Sequence, residues 1–372
     1  MDSLQAGSYL FMHRADFAEV ILRNAHIGGM LEINGATFTG RLDMESLKVD
    51  GNLIMGDKAQ FAEVNLGNAH IGGRLDMMYS TFTGFLNMES MQVGSYLLMG
   101  GATVTSTGPI SLIFAKIGIA LDLSANRLPS LDLTSAQVGG ELRLGWSDAP
   151  QWQQGATLIL RNTTVGALQG LRDAWADALE LDGFTYTLLG GAFTDSTSDM
   201  GSREIAWCKG WLARQPRYSP QPYEYLASIL EKAGRKDDAH AIRYTGRERE
   251  WSNARGLQWW WLSALKVFIG YGYRYWYALF WTIGMVVLGM IMLWKANRGP
   301  TERKPVGWRA RVSNTPYIFF YSLGKLLPIV KLDKRHDDPI SINWVQYYFY
   351  FHQLIGYVLA FFLVAGLSGL TK

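Results

Sequence analysis

The amino-acid sequence predicts a four-sided β-helix, then a small α-helical adaptor, then an α-helical transmembrane hairpin. Three observations carry this prediction. Apolar pairs arrive every five or six residues through the first half. The rhythm turns helical after about Gly201. Two long apolar runs, almost free of charge, lie in the last hundred residues. Charge divides the same way: residues 1–190 hold 19 Asp+Glu and 11 Lys+Arg, a net of −8, against +11 for the remainder of a chain whose total is +3. Nine of the 14 tryptophans lie from Trp251 onward. An acidic front and a basic, Trp-rich rear are expected of a water-facing part joined to a membrane-facing part.

The front half is a repeat. Phe17–Met55 and Phe61–Met99 share 23 identities over 39 aligned positions at an offset of 44. Within the 44, spaced apolar pairs begin at Val20, Leu31, Leu42, Leu53, Val64, Leu75, Leu86 and Leu97, a step of 11. Between them sit Ala25/Ile27, Ala36/Phe38, Leu47/Val49 and Ala69/Ile71. An amphipathic helix needs apolar residues at i, i+3, i+4 and i+7, so helix is rejected. Alternation over three residues followed by a turn suits very short strands facing one interior. Four such sides per 22 residues make one coil, and about eight coils at ~4.8 Å each make a rod of about 40 Å over residues 1–190. Ile27, Val49, Ile71, Val93, Ile117 and Val138 form one expected column; Phe17, Phe38, Phe61, Phe82 and Val104 form another. Gly28, Gly72, Gly94, Gly118 and Gly139 stand at corners, where the backbone needs φ > 0 or passes close to its neighbour.

These steps, A-x-[IVF] and L-x-[LM], resemble the pentapeptide-repeat class of right-handed quadrilateral β-helices, although sides of five and six depart from strict pentapeptides. Over nearly its whole length the chain resembles bacterial membrane proteins with such repeats, a two-helix membrane tail and a terminal "VAGLSGL". Some of those are labelled membrane-associated oxidoreductases, which would imply an accessory subunit of a membrane electron-transfer complex. The residues supply no redox site: there is no GxGxxG after a strand, no CxxC and no haem or iron–sulfur spacing. No cofactor is expected.

Residues 201–250 read as a helical adaptor. "EIAWCKGWLARQP" is a short helix stopped by Pro216, and Leu226, Ala227, Leu230, Gly234 and Ala239 match one tetratricopeptide-like hairpin. A lone hairpin cannot bury its own face, so it is expected to shield the open last coil of the β-helix.

Residues 251–372 read as a membrane domain: an interfacial Trp-rich helix over 251–270, a first span over about 275–295, a re-entrant or interfacial piece over 315–330, and a second span over about 344–370. Trp259, Trp260, Trp261, Arg274 and Trp276 are candidate interface anchors, because an indole ring sits at headgroup depth and a guanidinium meets phosphate. Lys325 and Pro328 interrupt the short segment and mark a candidate pore or re-entrant element. His352 and Gln353 make a candidate intramembrane polar pair.

The sequence begins inside a repeat and shows no signal peptide, and its single cysteine, Cys208, fits a reducing compartment. The expected location is therefore the bacterial inner membrane, multi-pass, with the β-helix in the cytoplasm. Ten Lys/Arg between the two spans argue for a cytoplasmic loop instead. The expected partners are the lipid bilayer and, at the N-terminal coil, a second copy or another protein. No nucleic acid is expected, since the rod's acidic charge is modest and interspersed with lysines. Among enzyme motifs, HExxH, GxSxG and Walker A are all missing. "DKRHDD" at Asp333–Asp338 is a candidate divalent-ion loop. The repeated "NAHIGG" places His26 and His70 outward, two coils apart with Lys48 between, too far to share a metal. The expected role is a non-enzymatic membrane-anchored scaffold. The alternative is an oligomeric channel whose two spans and re-entrant segment are gated by the β-helix.

Overall fold

A computed structural model describes residues 3–146, 148–191, 200–274, 276–295, 315–327 and 343–368. Its contacts divide the chain into two compact units, Met1–Gly246 and Arg247–Lys372.

The first unit opens with a parallel β-solenoid of about 8 coils, ~22 residues per coil. It is built from 28 strands, β1 (Gln5–Ala6) to β28 (Thr185–Leu189), joined in a 15-stranded and a 13-stranded sheet. Most strands are two residues long, so each coil contributes one step to each of four stacks. The first stack pairs His26 with Lys48, Lys48 with His70, His70 with Gln92 and Gln92 with Lys116. The second aligns Leu10, Leu31, Leu53, Leu75 and Leu97. The third aligns Phe17, Phe38, Phe61 and Phe82, and the fourth Val20, Leu42, Val64 and Leu86. Both predicted columns are thus register partners.

Inside, the phenyl rings stack at 4.9, 5.3 and 5.1 Å with interplanar angles of 21°, 17° and 14°. Each such pair adds about 0.5–1.5 kcal/mol beyond the area it buries. The corner glycines resolve in favour of close approach. Among Gly28, Gly72, Gly94, Gly118 and Gly139 none has positive φ, but a Cβ on any of them would press on a carbonyl oxygen one coil back. Left-handed backbone occurs at other corners, at Asn24, Ser46, Asn68, Ser90, Phe114 and Ser135 in one line.

Outside, the middle residue of the L-x-M side has a task that the apolar pattern concealed. The carboxylate or amide of Asp43, Asn65, Asn87 and Asp132 accepts the backbone N–H two residues on. Asn65 also donates to Asp43, and Asn87 to Asn65, so the turn caps are linked between coils. Asp43 is the most enclosed of these acids. Burial alone would raise its pKa, but the Arg23 hydrogen bond, the Glu45 N–H and the charges of Arg41 and Arg23 together hold it below 3.8. A depressed carboxylate contributes stability above its unfolded value and loses it as pH falls through the folded one. Asp43→Asn is therefore expected to cost about 1.5–3 kcal/mol near neutral pH. The gap should narrow once the pH falls below 3.8, as urea denaturation at neutral and acid pH would read.

Among the described residues α1 (Ile205–Ala213), α2 (Gln221–Lys232) and the first part of α3 (Lys236–Asn253), up to Gly246, complete the unit, and the rest of α3 belongs to the second. Arg214, at the end of α1, and α2 reach the final coil. Arg214 donates to the carbonyls of Trp175 and Ala176, Gln221 pairs with Gly183 and Phe184, and Tyr225 donates to the Tyr186 carbonyl. The strand edge of the last coil is therefore hydrogen-bonded rather than open. Leu226, Ala227, Leu230 and Ala239 are buried, and Gly234 makes the turn between α2 and α3 at φ +81°. Burial among Trp211 and Tyr186 raises the Cys208 thiol above 9.0, which leaves it a core residue.

The predicted single helix over 251–270 is corrected. α3 runs on to Asn253 and α4 (Leu257–Ile269) starts afresh, because Gly256 adopts φ 60°, ψ −137°, a conformation closed to other residues. Beyond it lie α5 (Trp276–Lys295), α6 (Thr315–Leu326) and α7 (Asn343–Ser368). These fall at the predicted first span, the predicted re-entrant piece and the predicted second span.

Candidate functional site

The second unit carries the features that water does not explain. α5 is 20 residues long, about 30 Å, the thickness of a bilayer's hydrocarbon core. Among the described helices it alone combines sufficient length with sufficient mean hydropathy, 1.9. Only 22% of its apolar window is buried, whereas the core helix of a water-soluble protein is mostly enclosed. Ala278, Val286, Gly289 and Leu293 form its buried stripe, while Phe280, Ile283, Val287 and Ile291 face outward. α7 is 26 residues long, and its first eleven include one Asn, two Gln, three Tyr and one His.

Trp259, Trp260, Trp261 and Trp276 are all exposed. α4 is fastened to the end of α3 by three contacts. The Trp251 indole N–H donates to Ser263 at 2.8 Å, Lys266 pairs with Glu248 at 2.8 Å, and the same ammonium lies 4.0 Å above the Trp251 ring. Trp259 stacks on Trp251 and meets Trp260 edge-on, Trp261 lies against Phe362, and Trp260 and Trp261 both stay exposed. The turn into α5 is made by Gly270, Tyr271 and Gly272, all at positive φ. Arg274 donates to the Tyr277 hydroxyl, so its guanidinium is oriented at the start of α5.

α5, α6 and α7 meet at one buried polar cluster. The Ser322 hydroxyl on α6 donates to the Val286 carbonyl of α5 at 2.9 Å. The Ser322 carbonyl lies 3.2 Å from Nε2 of His352 on α7, and Nδ1 of that ring lies 3.1 Å from the Tyr348 hydroxyl. A carbonyl can only accept, so Nε2 carries the proton, and in the neutral ring Nδ1 accepts from Tyr348. Ser322 and His352 are each 0% exposed. Gly289 makes the meeting possible: a Cβ there would overlap the Ser322 hydroxyl. Gly356 does the same for α7, where a Cβ would overlap the Leu326 carbonyl. Ile318, Tyr321, Leu293, Val345 and Phe349 pack around the cluster.

The predicted pair of His352 and Gln353 is thus replaced. His352 works with Tyr348, one helical turn back, and with Ser322 on another helix; Gln353 is half-buried and outside the cluster. Lys325 is half-buried with its ammonium 5.6 Å from the Tyr321 ring. Pro328 and the acidic loop Asp333–Asp338 lie outside the described residues. Ser322 carries no signal of its own in the sequence; only the small residue at Gly289, opposite it, hints at a close helix crossing.

On the rod, His26 points outward as predicted, and its Nε2 lies 2.9 Å from Asp50, which also approaches Lys48 at 3.4 Å. The hydrogen bond from His26 lowers the Asp50 pKa most; burial opposes it, and the hydrogen bond from Lys48 adds to the lowering. A recess of about 550 Å³ lies beside Arg172, Asp173 and Arg203, but Arg203 donates to the Gly170 carbonyl and stacks over Trp207 at 4.0 Å. These groups fix α1 to the last coils and form no nucleophile–base pair. Among the described residues no group of three His, Cys, Asp or Glu is placed to hold a metal ion.

No family model, no curated protein and no solved structure matches the chain.

Proposed function

We propose that this chain is a membrane-anchored β-helix scaffold, non-enzymatic, whose rod displays an interaction surface beside the bacterial inner membrane. The outward apolar face of α5 carries the reading. An apolar helix of that length, with most of its surface uncovered, is stable in lipid and a liability in water. Supporting it are the exposed indoles of α4 and the basic charge of this half of the chain. On the same reading α7 is the second span, the rod is cytoplasmic, and its coils are right-handed and quadrilateral as in pentapeptide-repeat proteins. Flotation of the full chain with liposomes tests the anchor: protein that stays at the bottom of the gradient would sink it.

The rod's partner is proposed to be a second copy, meeting it at the first coil. There Ala6, Leu10, Phe17 and Val20 are only half-buried, while their register partners Ile27, Leu31, Phe38 and Leu42 are fully buried. Phe11 and Tyr9 stack on the surface beside them. Light scattering of the full chain in detergent is expected to give a multiple of the chain mass of 41.7 kDa, and Leu10→Glu to return it to one. A monomeric wild type, or an oligomer indifferent to Leu10→Glu, would remove this interface.

A channel is the second reading, favoured by the seat of α6 between α5 and α7 with Lys325 half-buried. Ion flux from loaded liposomes that Lys325→Ala changes would support it.

A further inference from the structure

The buried imidazole of His352 has more to do than join two helices. Two hydrogen bonds join α6 to its neighbours through Ser322, and the one to α7 depends on the ring's Nε2–H. The groups facing the ring are few. From α7 they are Tyr348 and Phe349, from α6 Ser322 and the neighbouring Tyr321, and from α5 the bare backbone of Gly289, where a Cβ would stand 3.2 Å from the ring's Cε1. α7 contains no Asp, Glu, Lys or Arg at all. α5 holds one, Lys295 at its last position, and α6 one, Lys325. No carboxylate stands on any of the three helices to balance a second proton on His352.

We propose that His352 is an acid-released latch: neutral, it clamps α6 between α5 and α7 through the Ser322 carbonyl; protonated, it lets α6 go. The proton comes from bulk water and adds to Nδ1, so the Tyr348 hydroxyl must turn from donor to acceptor. The hydrogen bonds can survive that change. The charge is what the site cannot hold, because an imidazolium in an apolar bundle whose three helices carry no carboxylate is costly until water or a headgroup reaches it. Moving α6 outward opens that route. Histidine is the side chain whose ordinary titration lies in the range where compartments acidify. The latch rests on the proposed membrane setting of these helices.

Electron–electron distance measurements on frozen samples test it without pH-dependent labelling. The full chain carries Cys208→Ser with spin labels at Phe319→Cys on α6 and Tyr357→Cys on α7, both exposed positions. It is labelled once, then brought to pH 7.5 or 5.0 in liposomes and in micelles. Wild-type His352 should give one short distance at pH 7.5. At pH 5.0 a second population should appear, longer by roughly 10 Å, about one helix diameter. His352→Gln, whose amide can donate to Ser322 and cannot titrate, should keep the short distance at both values. His352→Arg, always charged, should show the long one at both. A wild type unchanged by acid, a His352→Gln variant that shifts equally, or a His352→Arg variant that stays short would each overturn the latch. Liposome flotation of the same samples fails separately if the membrane reading is wrong, and the micelle distances then still judge the latch.

Discussion

Gly94→Ala is expected to destabilise the rod more than any loss of a single surface contact. A Cβ at this position would overlap the Gly72 carbonyl oxygen of the coil before, and Gly118 stands in the same relation to Gly94. The obstacle is backbone, so no side chain can swing aside. The coil spacing is held on either side by Gly94 N–H to the Ile71 carbonyl at 2.8 Å and Ser95 N–H to the Gly73 carbonyl at 3.1 Å. Admitting one methyl group means lengthening those bonds, at about 3 kcal/mol or more. For a unit of this size that is a fall of roughly 6–12 °C in Tm, read by far-UV circular dichroism. Gly108→Ala is the matched control, since nothing lies within 4 Å of its Cβ position and its φ is ordinary. Equal stability of the two variants would show that the coils are not stacked as closely as described.

The same glycine line shows what could be read from the sequence and what could not. The step of 11 between apolar pairs was visible because inward residues must be apolar in every coil, and stacking puts like on like: Ile27 on Val49, Phe38 on Phe61. The corners were half visible. Glycine was readable where backbones touch, since a Cβ there meets a carbonyl oxygen, although Asp50 holds the same place between Gly28 and Gly72. The left-handed corners were not, because Arg14, Tyr79, Phe114 and Ala125 all occupy them. Backbone hydrogen bonds between coils impose that conformation whatever the side chain, and among the non-glycine residues Asn24, Asp57, Asn68 and Asn162 carry the familiar preference. The cap role of Asp43, Asn65 and Asn87 was hidden inside the L-x-M rhythm for the opposite reason: period alone reports which residues face in, not what the outward ones hold.

In the helical unit the limit is distance along the chain. Tyr348 and His352 lie four apart and must share a helix face, so that contact follows from spacing. Ser322 lies 30 residues before His352 on a different helix, and no periodicity links them. Length and hydropathy identified α5, whereas the first half of α7 mixes tyrosines and glutamines with apolar residues, and of these Tyr348 meets His352. Of the polar residues in that half, Tyr348 and His352 build the cluster, while Gln346 meets Tyr350 on the exposed side.

Val287→Arg is expected to abolish membrane partitioning if α5 crosses the bilayer. Val287 lies at the middle of Trp276–Lys295 and faces outward, 47% exposed, beside the buried Val286. An arginine at the centre of a span costs about 2.5–3.5 kcal/mol on an insertion scale, roughly a hundredfold in partitioning. The folded contacts of α5 are untouched, because the substituted side chain points away from Ser322 and Leu293. Trp294→Arg, at the end of the same helix and exposed, should be tolerated, since a long basic side chain there reaches the headgroups. The pair separates two explanations of the exposed apolar face. A lipid-facing helix gives depth-dependent loss, with Val287→Arg in the soluble fraction and Trp294→Arg still floating with liposomes. A face covered by a protein partner gives no such gradient, and both variants would behave alike. Carbonate-washed membranes from cells making each variant provide the measurement, with the β-solenoid's thermal transition as the check that the rod still folds.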